Sequence, residues 1–214
     1  ISAWVDVDCV WRKDHHKPGA VARLREELSR NNAKGFTHYV TAENDGWFHT
    51  DEGQEFFATA AELKVVASMA ISPAWFPDLR EIAKANPTLP FLVHHMSMPA
   101  NSSAGYSKND IAELVKSAEV PNIGIKISGF NYNSIEKYDF PYKQSQELFK
   151  TIYDAYGADR LYWASDFPAS RDMLTNTQAI EVVRTHCDYL PKADLDKIMG
   201  DNLNNLLNNP VFSK

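Results

Sequence analysis

The chain has 214 residues, of which 44% are hydrophobic and 23% charged, an ordinary composition for a globular protein with a buried core. Its net charge of -6 argues against nucleic acid and against anionic membranes as partners. Because no apolar run reaches the roughly 20 residues of a membrane span and the two distant cysteines form no metal or disulfide framework, we expect one cytoplasmic domain over residues 1–214.

Short apolar runs bounded by turn residues alternate with segments of helical periodicity along the whole chain. The first predicted elements are strand Ile1–Val7, helix Pro18–Asn31, strand Phe36–Ala42, helix Asp51–Leu63, strand Val65–Ile71 and helix Pro77–Ala85. They are followed by strand Phe91–Met96, helix Lys108–Ala118, strand Ile123–Ser128, helix Tyr142–Tyr156, strand Leu161–Ser165 and helices Asn176–Thr185 and Ala193–Leu207.

The spacing of these elements favours a barrel. The strands begin roughly 30 residues apart, which is about the length of one unit of a (β/α)8 barrel. A doubly wound sheet alternates in the same way, but no glycine-rich phosphate loop follows any predicted strand. We therefore predict an α/β fold of the (β/α)8 TIM-barrel type with six strand-helix units visible and the two N-terminal units missing. The exposed edge would then aggregate or be covered in a homo-oligomer.

In a parallel barrel the chemistry lies at the carboxyl ends of the strands. His94 and His95 end the fourth predicted strand and point to opposite sides, so one imidazole can face the interior and bind a divalent cation. Two hydrogen-bonded structural histidines are the alternative. Asp166 follows the sixth strand, where it can bind a metal or take a proton from water. An aspartate that only caps the turn before Pro168 is the alternative.

Further residues are predicted to contact the substrate. His38 and Tyr39 lie on the second strand, where one of the two must face inward. Arg171 follows Asp166 closely and could hold a carboxylate with both arms of its guanidinium. His94 is assigned to the same substrate-binding set. Aromatic and basic residues at these places are also compatible with ordinary packing or exposure.

Four stretches resemble the amidohydrolase-related family of lactonases, other hydrolases and aminocarboxymuconate-semialdehyde decarboxylase-like enzymes. They are Pro90–Met98, Asn122–Gly129, Tyr156–Pro168 and Ile198–Leu203, and they occur in the family's order over essentially the whole chain. In the first, His95 stands at the position of a ligand histidine. In the third, Asp166 stands at the position of a metal-binding or proton-transferring aspartate. The resemblance implies a divalent metal ion, zinc, held by His95 and Asp166.

The chain also departs from that family. The family's first strand ends in an HxH pair of ligands, and no HxH occurs in this sequence. His15 and His16 are adjacent and stand among charged residues, so they are expected in a solvated loop or, at most, in contact with the substrate. Ser72 and its neighbours follow the third strand where some members place a histidine, which favours one metal ion over two. A catalytic zinc usually takes about three protein ligands, so the others are expected on the missing strands.

Together these features favour a metal-dependent hydrolase acting on a small cyclic ester, a lactone, or on an amide. Asp166 would move the proton of the attacking water, and His95 would hold the metal or polarise the carbonyl. The preference for a lactone rests on the resemblance. Two alternatives stay open: non-oxidative decarboxylation of a carboxylated ring or enoate on the same scaffold, and a catalytically inactive ligand-binding remnant. In each case the expected partner is a small molecule.

Overall fold

The computed structural model describes residues 3–208. Its strands, in chain order, are β1 (Ala3–Asp6), β2 (Ala33–Tyr39), β3 (Val66–Ala70), β4 (Phe91–Val93), β5 (Asn101–Ser102), β6 (Gly105–Tyr106), β7 (Ile123–Ile127) and β8 (Leu161–Trp163). β5 and β6 form a separate antiparallel hairpin, whereas the other six strands form one parallel sheet.

The helices lie between these strands. They are α1 (Ala20–Asn31), α2 (Asp51–Glu62), α3 (Phe76–Ala85), α4 (Lys108–Lys116), α5 (Phe130–Asn133), α6 (Lys143–Tyr156), α7 (Asn176–Arg184), α8 (Lys192–Asp196) and α9 (Asn202–Asn208). A π-helical segment, Lys197–Asp201, joins α8 to α9, so the predicted last helix is one nearly continuous helical stretch. No helix in the described part of the chain is long and apolar enough to cross a membrane.

The order of the strands identifies the architecture. Strands that follow one another in the chain are neighbours in the sheet, in the order β1-β2-β3-β4-β7-β8. A doubly wound sheet reverses its order at a switch point, whereas a (β/α)8 barrel keeps the chain order. The ammonium of Lys126 on β7 lies 5.0 Å from the ring centroid of Trp4 on β1, although three strands separate them in the sheet. The sheet is therefore curved, and the predicted TIM-barrel type, with six units, is confirmed.

Three strand boundaries differ from the prediction by three residues, and one of them is the end of β2, which lies at Tyr39 instead of Ala42. β2 begins at Ala33, three residues before the predicted start, because the short turn after α1 leads directly into the sheet. β4 ends at Val93 instead of Met96, because the backbone of the next residues turns into a left-handed conformation. The predicted start of the first strand, Ile1, lies outside the described residues.

The two faces of the sheet differ in chemistry. Thr37 pairs with Ser68 and Tyr39 with Ala70, so these side chains share the concave, polar face. His38 lies on the opposite face, where its ring is 5.5 Å from the ring of Phe56 on α2. The helices cover this outer face and bury its apolar side chains in one core, which includes Phe36, Met69 and Val93. The fold thus leaves the polar groups at the carboxyl ends of the strands free to form a site.

Candidate active site

The chain forms a left-handed turn immediately after β4. His95, Met96, Ser97 and Met98 have φ values of 49°, 54°, 65° and 46°. Asp166, in the loop after β8, has a φ of 54°. A residue other than glycine in left-handed backbone costs about 1–3 kcal/mol of folding free energy. Such residues cluster at functional sites, where the surrounding structure holds them in place. Here Asn133 holds the turn, because its amide donates a hydrogen bond to the His95 carbonyl at 3.0 Å.

This turn gives a first prediction about stability. Ser97 is fully buried, has a left-handed φ, and its hydroxyl has no hydrogen-bond partner in the described structure. We expect Ser97→Gly to raise the free energy of unfolding by about 1 kcal/mol, because glycine relieves the backbone strain and removes the unpaired hydroxyl. Thermal unfolding should show a melting temperature about 2–4 °C higher.

The control is a buried serine in ordinary helical backbone. Ser117 donates a hydrogen bond to the Glu113 carbonyl at 2.9 Å and accepts one from Arg80 at 3.0 Å. Ser117→Gly should therefore lower the melting temperature. If both serine variants lower it equally, the strain assigned to the turn after β4 is wrong.

His95 and Asp166 come together at the carboxyl end of the sheet, as predicted from their strand ends. Nε2 of His95 lies 3.6 Å from Oδ1 of Asp166, and the two side chains are 14% and 20% exposed. Nδ1 of His95 lies 2.9 Å from the hydroxyl of Ser128. Burial lowers the pKa of His95, although Asp166 opposes the shift. The ring is therefore neutral at pH 7, and Nε2 offers its lone pair to the space beside Asp166 when Nδ1 donates to Ser128.

Tyr132 orients the carboxylate of Asp166. Its hydroxyl donates a hydrogen bond to Oδ2 at 2.7 Å, which leaves Oδ1 on the side of His95. Burial and the bond to Asp166 raise the pKa of Tyr132 to about 12, so the hydroxyl remains a donor at neutral pH. Tyr132 was not singled out in the sequence, because it lies in the short helix α5 and belongs to no recognisable motif.

A second polar group lies deeper in the barrel. Lys126 donates a hydrogen bond to the Ser68 hydroxyl at 2.5 Å, and that oxygen lies 2.5 Å from Nε2 of His94. Lys126 therefore points into the barrel, where its ammonium also lies 5.0 Å from the ring centroid of Trp4. Burial lowers its pKa to about 8. Burial lowers the pKa of His94 well below its usual value, so its neutral Nε2 can accept the hydrogen bond of the Ser68 hydroxyl.

The other predicted substrate-binding residues divide into two sets. The ring of Tyr39 lies 5.6 Å from the ring of His94, so Tyr39 is the inward member of its pair. His38 is a correction to the prediction: strand alternation places it on the outer face, away from this site. Arg171 is also not brought to the site, because its side chain is 68% exposed and pairs with neighbouring Asp172 at 3.7 Å.

The expected solvated loop at His15 and His16 is wrong. Their side chains are only 10% and 6% exposed, and their rings stack with centroids 3.7 Å apart. The loop folds inward because the buried carboxylate of Asp8 accepts hydrogen bonds from the backbone amide of His16 and from Arg23. The charged residues around them, such as Lys13 and Lys17, are exposed as expected, whereas the two histidines are largely buried.

The residues after β4 and β8 fit a metal ion as two of its ligands. Adjacent ligands of a tetrahedral zinc with bonds of about 2.0–2.1 Å are separated by about 3.3 Å, and the two facing atoms of His95 and Asp166 are 3.6 Å apart. The bond from His95 to Ser128 is the kind of contact that orients a ligand histidine. Within residues 3–208, no third histidine, cysteine or carboxylate joins these two in a ligand group.

Comparison with known proteins gives the family. The sequence profile described as amidohydrolase matches residues 7–205, which is most of the chain. No curated protein matches it. A solved amidohydrolase from Burkholderia multivorans with bound zinc has a TM-score of 0.77 and 17% sequence identity, over 89% of this chain and 69% of that chain.

Two further solved structures are similar in fold. A protein from Pseudomonas putida, assigned as a 2-pyrone-4,6-dicarboxylic acid hydrolase, has a TM-score of 0.69 and 18% identity, over 85% of this chain and 66% of that chain. A dihydroxybenzoic acid decarboxylase from Polaromonas, with bound manganese and an inhibitor, has a TM-score of 0.55 and 14% identity, over 92% of this chain and 68% of that chain. At these identities the structures show the fold, and the profile match shows that the chain belongs to the amidohydrolase family.

Proposed function

We propose that this chain is a hydrolase that opens a small lactone, or cleaves the corresponding cyclic amide. The observation that carries the proposal is the position of Asp166: its carboxylate is partly exposed, oriented by Tyr132 and 3.6 Å from Nε2 of His95. A carboxylate in such a place can take a proton from an attacking water and return it to a leaving group.

The chain's own residues account for the proton transfers. As the water oxygen bonds to the carbonyl carbon, Oδ1 of Asp166 accepts the water's proton. When the ring C–O bond breaks, the same carboxyl group donates that proton to the departing oxygen. Tyr132 keeps Oδ2 engaged during both steps. A divalent ion held by His95 and Asp166 would supply Lewis-acid polarisation of the ester carbonyl.

The side chains inside the barrel favour an acidic, planar substrate. The cation of Lys126 lies on the same concave side as the rings of Trp4 and Tyr39. A buried ammonium can pair with a carboxylate on the substrate, and aromatic rings suit a flat ring. The Pseudomonas putida relative is assigned to a substrate of this kind, a pyrone that carries two carboxylates.

This role of Lys126 gives a pH prediction. Because burial lowers its pKa to about 8, the ammonium is charged below that pH and neutral above it. We expect KM for a carboxylated lactone to rise about tenfold per unit as the pH increases beyond 8, with kcat changing less. Lys126→Arg stays charged and should remove the rise. A KM that increases equally in both proteins would rule out Lys126 as the anchor.

The same scaffold also carries decarboxylases, so the proposal is tested against that activity. The Lys126 ammonium beside a substrate carboxylate would stabilise the substrate before decarboxylation and would lose its ion pair as CO2 forms. Such a cation therefore favours ring opening, a reaction that keeps the carboxylate. The test supplies the protein with Zn2+ or Mn2+ and offers two panels: lactones with and without carboxylates, and hydroxylated benzoates. Ring opening supports the proposal. Release of CO2 without ring opening, or no turnover with either panel, contradicts it.

A further inference from the structure

Three large apolar side chains are exposed at the same end of the barrel as the candidate active site. Trp11 is 56% exposed, Met98 is 44% exposed and Phe167 is 58% exposed. They lie in the loops after β1, β4 and β8, at the carboxyl ends of those strands. Single exposed apolar residues are normal on a protein surface, but a group of them beside a cleft marks a place where a ligand binds. We call these three residues the apolar rim.

Trp11 is joined to the candidate active site by an unbroken row of ring contacts. Its ring centroid is 4.7 Å from that of Tyr39, and the ring of Tyr39 is 5.6 Å from that of His94. The row continues from His94 to His95 at 5.2 Å and from His95 to Tyr132 at 5.6 Å. Trp11 therefore borders the proposed catalytic group, with only Tyr39 and His94 between them.

The chain itself places the other two members of the rim next to the catalytic residues. Phe167 follows Asp166 directly, and Met98 follows His95 by three residues. The side chains of His95 and Asp166 are 14% and 20% exposed. The polar group that would carry out the reaction therefore opens to solvent beside exposed apolar side chains.

The backbone holds Trp11 in a fixed position. The amide of Val10 donates a hydrogen bond to the Tyr39 carbonyl at 2.9 Å, and the amide of Arg12 donates one to the Cys9 carbonyl at 2.8 Å. Cys9 itself is fully buried. An aromatic ring held in this way offers a binding surface at a small cost in conformational entropy, because the loop is already ordered before a ligand arrives.

We propose that Trp11 forms a subsite for a flat apolar substituent, such as an aryl ring, on the lactone; this inference rests on the proposed function and names its substrate more closely. Tryptophan suits this role because its large ring system stacks on other aromatic rings. The Lys126 ammonium lies deeper in the barrel, beside Trp4 and Ser68. The substrate would therefore bind with its carboxylate inward, its aryl group at the mouth and its ester carbonyl between them.

A substituent of a small molecule fits the apolar rim better than a second macromolecule does. The exposed side chains lie beside His95 and Asp166, so a second copy of the chain or a membrane on top of them would close the route by which a substrate reaches these two residues. The net charge of -6 also opposes binding to an anionic membrane. A substituent of the substrate enters by the same route and leaves with the product.

The test measures the binding of cyclic ketones, which carry the ring carbonyl of a lactone but have no ester bond to cleave. Cyclohexanone carboxylates with hydrogen, cyclohexyl or phenyl at one ring position are titrated into the unmodified protein by calorimetry. We expect the phenyl compound to bind at least about tenfold more tightly than the unsubstituted one, and more tightly than the cyclohexyl compound. Trp11→Ala should reduce the preference for phenyl to about twofold, whereas Trp11→Phe should keep most of it.

The matched control is Val115→Ala. Val115 is also an exposed apolar residue, at 38%, but it lies on α4, away from the loops that form the rim. This variant should keep the full preference for the phenyl compound. Because Trp11 is more than half exposed, its truncation should leave the fold intact, and thermal unfolding of each variant checks this.

The inference is overturned if the unmodified protein binds neither ketone, or binds the phenyl and unsubstituted ketones equally. It is also overturned if Trp11→Ala keeps the preference, or if light scattering shows a dimer that Trp11→Ala converts to a monomer, because the rim would then be an interface between copies. Turnover of the matching lactones is measured separately. A protein that opens lactones without preferring phenyl keeps the proposed function and loses this subsite. A protein that binds the phenyl ketone through Trp11 but opens no lactone keeps the subsite and loses the proposed function.

Discussion

Asp166→Asn is expected to lower kcat for lactone opening by about 10²–10⁴-fold, the contribution of a well-placed acid-base group. Asparagine has nearly the same size and can still accept the hydrogen bond that Tyr132 donates at 2.7 Å, so the geometry around it is kept. What is lost is the ability to take a proton from water and return it. The melting temperature should therefore change little. Steady-state kinetics and a calorimetric scan of each protein separate a loss of catalysis from a loss of stability.

The matched control is Asp172→Asn. Asp172 follows Asp166 by six residues in the same loop, but its side chain is 86% exposed and its charged neighbour is Arg171. This change removes the same charge from the protein and should leave kcat within about twofold. An equal loss in both variants would mean that the net charge of the loop matters and that Asp166 is not the proton-transfer group. Unchanged kcat in Asp166→Asn would contradict the mechanism directly.

The fold was predictable because its signals are local. Each strand is a short apolar run, each helix has an apolar face, and their spacing of roughly 30 residues is characteristic of a barrel. The strand order needed no further information, since a barrel keeps the chain order. The end of β4 was not predictable in this way, because the left-handed turn at His95 is held by Asn133, which lies 38 residues later.

The candidate site was predictable only in part. Asp166 and His95 stand at strand ends, so their convergence follows from the barrel. The direction of Lys126 depends on its contacts with Ser68 and Trp4 on other strands, which the alternation of one strand does not reveal.

The interpretation of the histidines shows the same limit. His38 and Tyr39 are adjacent on a strand, so one of them must face inward, but the alternation does not determine which one. The burial of His16 depends on Asp8 and Arg23, whose charges pair instead of meeting solvent. Long-range pairing therefore decides the parts of the site that local patterns leave open.

Gly129 connects that long-range packing to activity. It precedes α5 with a φ of +71°, and an added Cβ would lie 2.9 Å from Cβ of His95 and 2.9 Å from Cδ2 of Tyr132. Both neighbours belong to the proposed catalytic group, and neither distance is tolerated. We expect Gly129→Ala to lower the free energy of unfolding by about 2–4 kcal/mol and kcat/KM by about 10²-fold, because a displacement of about 1 Å misplaces the acting groups.

Gly46→Ala separates backbone strain from crowding. Gly46 has a φ of +76°, nearly that of Gly129, but an added Cβ there meets nothing within 4 Å. Both variants therefore carry the cost of a left-handed alanine, about 1 kcal/mol, and only Gly129→Ala pushes on His95 and Tyr132. The free energies of unfolding of the two variants, measured with denaturant, should differ by at least about 1 kcal/mol. Their kcat/KM values should differ by most of the 10²-fold effect. Equal kinetics would show that the positions of His95 and Tyr132 do not limit turnover, and the catalytic group would then have to lie elsewhere in the barrel.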